Sequence, residues 1–223
     1  MENIKIAVDG PAGSGKTTTA KIVAENLGYV YIDTGAMYRA VTLKAMRDGV
    51  KFDDASLAEM MQSTEIELRT SDRGQRTILN GEDVSEYIRL PEVTKNVSPV
   101  SAVGCVREKL VAMQRDLGQA GAVVMDGRDI GTDVFPDAEL KIFLIASVEA
   151  RAERRTLELS RSGIEFSVDE IKQQITDRDH YDSTRKISPL RKASDAVEID
   201  TSDMTIEEQA IIIINAAREI IKG

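Results

Sequence analysis

Gly10-Pro11-Ala12-Gly13-Ser14-Gly15-Lys16-Thr17 stands between two apolar patterns of different period, and that placement restricts the folds open to this chain. Before it, Ile4, Ile6 and Val8 form a short apolar run of the kind found in strands; after it, Ala20, Val23, Ala24 and Leu27 recur at helical spacing. A strand, a glycine loop and a helix in this order form a phosphate-binding unit. The glycines let successive N–H groups turn toward an anion, and the helix that follows offers its positive end to the same place. Residues 10–18 (Gly10, Pro11, Ala12, Gly13, Ser14, Gly15, Lys16, Thr17, Thr18) are therefore expected to hold the phosphates of a nucleoside triphosphate. Lys16 is expected to reach the β/γ-phosphates, and the Thr17 hydroxyl to ligate Mg²⁺, a small hard ion that takes oxygen ligands.

The rest of the chain supplies more elements for such a unit. Ile4–Val8, Tyr29–Ile32, Ala122–Met125, Leu140–Ile145 and Ala196–Ile199 are compact aliphatic runs separated by helical patterns, which predicts an α/β fold with a doubly wound five-stranded parallel sheet. The apolar period of Val103, Val106, Leu110, Met113 and Leu117 predicts a single helix over Ser101–Leu117 packed on that sheet. Thr205 followed by Glu208 forms a capping-box pattern before a last helix, whose buried stripe is expected to be Ile206, Ala210, Ile213 and Ile214.

Two stretches break the alternation. Between Thr64 and Val84, Ile66 and Leu68 alternate with charged residues, and Asp72-Arg73-Gly74 and Asn80-Gly81 read as turns, which predicts a small antiparallel insertion. Residues 151–166 carry Arg151, Arg154, Arg155 and Arg161 with a Ser162-Gly163 turn, and read as a mobile lid made of a helix, a loop and a return helix starting near Ser167. At 223 residues one main domain is expected, with a core at 1–33, 101–150 and 168–223, a subdomain with the insertion at about 34–100 and the lid at about 151–167.

Composition narrows the partners. A net charge of −9 and few aromatic residues argue against nucleic acid. Cys105 is the single cysteine, so no intrachain disulfide can form, and no leader-like apolar segment is read at the N-terminus; a cytoplasmic location, no membrane partner and a monomer are expected. An Asn-Lys-x-Asp guanine motif is absent, which argues against a GTPase switch. Cys105 has no paired histidine motif, and His180, the only histidine, is expected to be a bystander, because phosphoryl transfer to a phosphate acceptor needs no strong base.

Three charged clusters suggest an acceptor site. Asp33-Thr34-Gly35-Ala36-Met37-Tyr38-Arg39 follows the second strand at the carboxyl edge of the sheet, where open α/β folds bind ligands; Arg39 can grip a monophosphate through paired hydrogen bonds. Asp126-Gly127-Arg128-Asp129-Ile130-Gly131 follows another strand, with Asp126 placed for the outer coordination of Mg²⁺. Arg178, Asp182 and Arg185 fall at steps of four and three, on one face if the helix persists. Fixed cations suit a transition state that spreads negative charge over the moving phosphoryl group, and lid arginines also exclude water.

These motifs, together with Asn80-Gly81-Glu82-Asp83-Val84, Val106-Arg107-Glu108 and Val134-Phe135-Pro136-Asp137-Ala138, resemble the bacterial cytidylate kinase family of P-loop nucleoside monophosphate kinases over nearly the whole chain. The resemblance implies transfer of the ATP γ-phosphoryl group to CMP or dCMP. It implies that Arg39, Arg128 and Arg185 lie near the acceptor phosphate, that Thr34, Arg178 and Asp182 hold the sugar and clamp, and that Ser98, Arg107 and Asp129 read the cytosine edge, with Ser101 an alternative to Ser98. Arg151, Arg154 and Arg155 correspond to lid arginines, and Lys16, Arg128 and Arg185 complete the catalytic set. Thr34 stands where the family often has serine, and its extra methyl bears on the balance between CMP and dCMP.

Overall fold

Five aliphatic segments form one parallel sheet in the computed structural model, which describes residues 3–72, 74–161 and 166–223. The strands are β1 (Lys5–Asp9), β2 (Val30–Asp33), β6 (Val123–Gly127), β7 (Leu140–Ile145) and β8 (Val197–Asp200), in the order β2-β6-β1-β7-β8. Central β1 is paired on both sides, Val8 opposite Asp126 and Asp9 opposite Gly127 on β6, and Asp9 opposite Phe143 on β7. Its near-continuous apolar sequence fits a strand covered on both faces.

The chain divides into two units, Met1–Tyr31 with Ala120–Gly223, and Ile32–Gln119. In the first, α1 (Lys16–Leu27) and α8 (Ile206–Lys222) bury Ala20, Val23, Ala24, Ala210, Ile213 and Ile214 against Ile6, Val8, Ile142 and Leu144 of the sheet. Thr205 and Glu208 form the expected reciprocal cap of α8, while Ile206 is only half-buried. A π-helical turn, Ile130–Val134, follows β6. The arginine-rich segment forms α6 (Val148–Arg161), and α7 (Val168–Thr184) returns with Ser167 and Glu170 as a second capping box; Ala152, Leu159, Ile171 and Ile175 form their shared core. The expected Ser162-Gly163 turn lies outside the described residues, as does Arg73 of the expected Asp72-Arg73-Gly74 turn.

The second unit is built on α2 (Thr34–Arg47), α3 (Asp54–Gln62), α4 (Pro91–Ser101) and α5 (Gly104–Leu117), with a three-stranded antiparallel sheet of β3 (Ile66–Ser71), β4 (Gly74–Leu79) and β5 (Glu82–Asp83). Asn80 and Gly81, at φ 47° and 84°, make the tight turn between β4 and β5, a geometry that favours Asn-Gly. A 3-10 turn, Tyr87–Arg89, leads into α4.

The helix expected over Ser101–Leu117 is corrected in two respects. It begins at Gly104, because α4 runs through Ser101 and Val103 is extended at φ −77° and ψ 132°. Its stripe does not serve the parallel sheet: Val106 and Leu110 are buried with Met37, Val41, Leu57, Val93 and Val97 of α2, α3 and α4, and Leu117 is 45% exposed. The apolar period runs across the break because Val103 packs on the same cluster as Val106.

Candidate active site

In the first unit the glycine loop sits between the end of β1 and the start of α1. Gly15 precedes α1 at φ 87°, a left-handed conformation that costs a side chain about 1 kcal/mol or more. A Cβ on Gly10 would run into the Leu144 carbonyl, so the loop lies against β7 only because that position is glycine. The Lys16 ammonium is folded back over the loop and donates to the Pro11 carbonyl at 3.0 Å. Ser14 is buried, and its Oγ has no hydrogen-bond partner among the described residues. Thr18 is exposed at the rim.

Behind Thr17 lies the carboxylate at the end of β6. Thr17 Oγ1 donates to Asp126 Oδ2 at 2.8 Å, and the Tyr31 hydroxyl donates to Oδ1 at 2.7 Å. Both oxygens of a buried carboxylate are thereby engaged, which fixes its plane and holds the Thr17 hydroxyl at the loop. Among the described residues no group of three or more His, Cys, Asp or Glu side chains forms a metal cage. A hydroxyl backed by one carboxylate nevertheless suits Mg²⁺, which keeps several waters and takes substrate phosphates as ligands.

Asp9, which sequence reasoning passed over, is 4% exposed. Its Oδ1 accepts from the Ile130 N–H and its Oδ2 from the Gly131 N–H, both at 2.8 Å. Burial pushes its pKa up to about 7, with Asp129 adding to the rise, while the two N–H groups and Lys16 oppose it. The available signal was an acid closing an otherwise apolar central strand, a position that demands hydrogen-bond donors.

Asp182 organises the cationic cluster. Arg128 Nε donates to its Oδ2 at 3.0 Å, and Arg178 Nε lies 3.9 Å from the same oxygen. Burial alone would raise the Asp182 pKa, but Arg128, Arg178 and Arg185 outweigh it and hold the carboxyl below its usual range. The single helical face expected for Arg178, Asp182 and Arg185 does not form in full, because α7 ends at Thr184 and Arg185 is extended at ψ 146°. That turn carries the Arg185 guanidinium to 3.8 Å from Asp129 and lets its Nε donate to the Ser188 carbonyl at 2.8 Å. His180 is exposed on α7.

The three arginines expected in a lid have different settings. Arg151 is buried, donates to the carbonyls of Ala146 and Ala12 at 3.0 Å each, and pairs with Asp179 at 2.6 Å, so it ties α6 and α7 to the glycine loop. Arg154 donates to the Thr201 and Ser202 carbonyls and to Thr201 Oγ1. Arg155 is half-buried and pairs with Glu158 at 2.7 Å.

Within the second unit, Asp33 caps α2 by accepting from the Ala36 N–H at 2.9 Å, and its other oxygen takes Arg89 Nη2 at 2.6 Å. Although burial would raise the Asp33 pKa, Arg89 and then Arg39 outweigh it and lower it. Arg89 also escaped the sequence reading, since no local pattern links the 3-10 turn to α2. Thr34 is buried in the first turn of α2, and Arg39, one turn on, is half-buried. Arg107 is 2% exposed; its guanidinium lies 5.2 Å from the Tyr38 ring centroid and donates to the Ser101 carbonyl at 3.0 Å. Ser101 Oγ donates to the Ser98 carbonyl at 3.0 Å. Ser98 and Arg107 thus belong to one neighbourhood of α4 and α5. The Cys105 thiol is pushed up by burial and by Asp54, which leaves it a poor nucleophile.

A parallel sheet with a glycine loop after its central strand, a lysine folded over that loop and a carboxylate behind the following threonine defines a P-loop nucleotide-binding protein. In fold the chain is similar to a gluconokinase from Sinorhizobium meliloti, at TM-score 0.52 and 16% identity, with 99% of this chain and 95% of that one covered. A sequence model of the cytidylate kinase family matches residues 6–219. The chain is 52% identical to a cytidylate kinase from Lactobacillus gasseri over 206 residues, 92% of this chain and 90% of that one. It is 49% identical to a cytidylate kinase from Bacillus cereus over 223 residues, 100% of this chain and 97% of that one. The chain belongs to the cytidylate kinase family.

Proposed function

We propose that this kinase transfers the γ-phosphoryl group of ATP to CMP or dCMP, giving CDP or dCDP and ADP. The observation that carries the assignment is the 49% identity to a cytidylate kinase along all 223 residues. The buried Ser14 hydroxyl, without a hydrogen-bond partner among the described residues, and the Lys16 ammonium on the Pro11 carbonyl support a loop built for an anion, to which both groups turn when phosphate arrives.

Residues 10–18 hold the ATP phosphates, and Lys16 binds the β/γ-phosphates. Thr17 is the direct protein ligand for Mg²⁺ and Asp126 orients it from behind. Bound there, the ion neutralises charge on the phosphate oxygens. Thr34 and Arg39 on α2, with Arg128, Arg178, Asp182 and Arg185, hold the acceptor sugar and phosphate. Arg128, Arg178 and Arg185 gather around Asp182, and guanidiniums of this kind can grip a phosphate through paired hydrogen bonds.

Ser98, Arg107 and Asp129 read cytosine. A carboxylate accepts from the exocyclic amino group, and an arginine and a hydroxyl donate to the ring nitrogen and carbonyl; a uracil carbonyl facing Asp129 finds no donor. The Ser101 hydroxyl is engaged with the Ser98 carbonyl, which supports Ser98 over Ser101 as the base contact. Arg151, Arg154 and Arg155 act from a lid at about 151–167, and residues 34–100 form the monophosphate-binding subdomain. Arg155, paired with the exposed Glu158 at the surface, has the least to give up on closure. We place the enzyme in the cytoplasm as a monomer; no helix among the described residues is long and apolar enough to cross a membrane.

A coupled ADP-release assay with ATP·Mg²⁺ and each of CMP, dCMP, UMP, AMP and GMP tests the assignment. CMP and dCMP should stimulate turnover most. Stimulation by AMP with none by CMP would remove it.

A further inference from the structure

We infer that Asp9 is a positioning residue for recognition of the acceptor base, acting through the loop that bears Arg128 and Asp129; this rests on the assignment of that loop to CMP. Asp9 ends central β1, level with Gly127 on β6 and Phe143 on β7, and directly precedes Gly10. Its two carboxylate oxygens take the N–H groups of Ile130 and Gly131, the first two residues of the π-helical turn that follows Asp129. The Asp129 carbonyl in turn accepts from the N–H groups of Asp133 at 2.9 Å and Val134 at 3.1 Å. The Asp129 backbone is thereby fixed on both sides, by β6 before it and by the Asp9-anchored turn after it.

A bidentate acceptor is chemically necessary for this. Two successive N–H groups point at two separate oxygens, and a carboxyl group presents two oxygens side by side where an amide presents one. Asparagine has nearly the same shape but offers one oxygen and one NH₂ group, so one N–H would face another donor. The turn would shift, and with it Asp129, whose carboxylate has to meet an exocyclic amino group within a few tenths of an ångström. Asp9 itself touches neither nucleotide in this account. It joins the strand that launches the donor loop to the turn that displays the base-reading carboxylate.

The test uses the full chain, wild type and Asp9→Asn, with kcat/KM measured for CMP and for UMP and KM measured for ATP. The wild type should prefer CMP, and Asp9→Asn should lose about tenfold or more of that preference, with the KM for ATP changed less than about twofold. An equal loss with CMP and UMP at unchanged selectivity would mean a purely structural role and would overturn the inference. If Asp9→Asn does not fold, amide hydrogen exchange on the wild type decides: Ile130 and Gly131 should exchange as slowly as the amides of β6, and rapid exchange at both would overturn the anchor. A wild type that ignored CMP would defeat the functional assignment instead, and the exchange measurement would still decide whether Asp9 holds the turn.

Discussion

Thr17 Oγ1 donates to Asp126 Oδ2 at 2.8 Å, joining the first turn of α1 to the end of β6 across 109 residues of sequence. Because Tyr31 occupies the other Asp126 oxygen, the carboxylate has one orientation, and so does the hydroxyl it receives. Thr17→Ala should therefore lower kcat by about 10²-fold or more with every acceptor while shifting thermal stability little. Steady-state rates across Mg²⁺ concentrations test this, and a kcat within twofold of wild type would refute the role of Thr17.

Asp182→Ala would take from Arg128 and Arg178 the carboxylate that they share. Breaking a buried ion pair from one side costs about 3–5 kcal/mol, so urea unfolding should show a loss of that order together with a higher KM for CMP. Unchanged stability would mean that the guanidiniums find other partners.

The pH dependence of stability has two opposed parts. Asp33 and Asp182 have lowered pKa values in the fold, so their contribution is present above the unfolded carboxylate pKa of about 4 and is lost as pH falls through the folded values. Asp9 is raised to about 7, so folding favours its protonated form; that contribution is present below about pH 4 and is lost as pH rises through 7. Chemical unfolding from pH 4 to 8 should show a flatter profile in Asp9→Asn than in wild type, by on the order of a few kcal/mol. Parallel profiles would show that Asp9 does not titrate in this range.

Asp129→Ala should reduce discrimination of CMP over UMP by about 5- to 150-fold, equivalent to about 1–3 kcal/mol for one unpaired buried polar group. The ratio of kcat/KM for the two nucleotides measures it. Selectivity equal to wild type would take the base-reading role away from Asp129.

Wherever one short segment carries its own physical reason, the sequence was sufficient. The glycine loop, the five aliphatic strands, the Asn80-Gly81 turn and the Thr205/Glu208 cap depend on local conformational preference and period, and they form as expected. The limits of local pattern appear at α5, whose apolar period is genuine yet serves the core of the Ile32–Gln119 unit, since periodicity marks a buried face without identifying its partner. They appear again at Arg185, where the helix stops one residue before the face is complete.

By itself the sequence determined the α/β class, the glycine loop and the residue types at the proposed acceptor positions, because these follow from residue identity and spacing. Only the tertiary structure decided which charges meet. Asp9 holds the Ile130–Gly131 turn, Arg89 reaches Asp33, Arg151 bonds the Ala12 carbonyl, and Asp126 holds Thr17. Each partnership spans from 56 to 139 residues of chain. Hydrogen bonds and ion pairs depend on distance in space, and at such separations that distance is set by how the strands and helices pack.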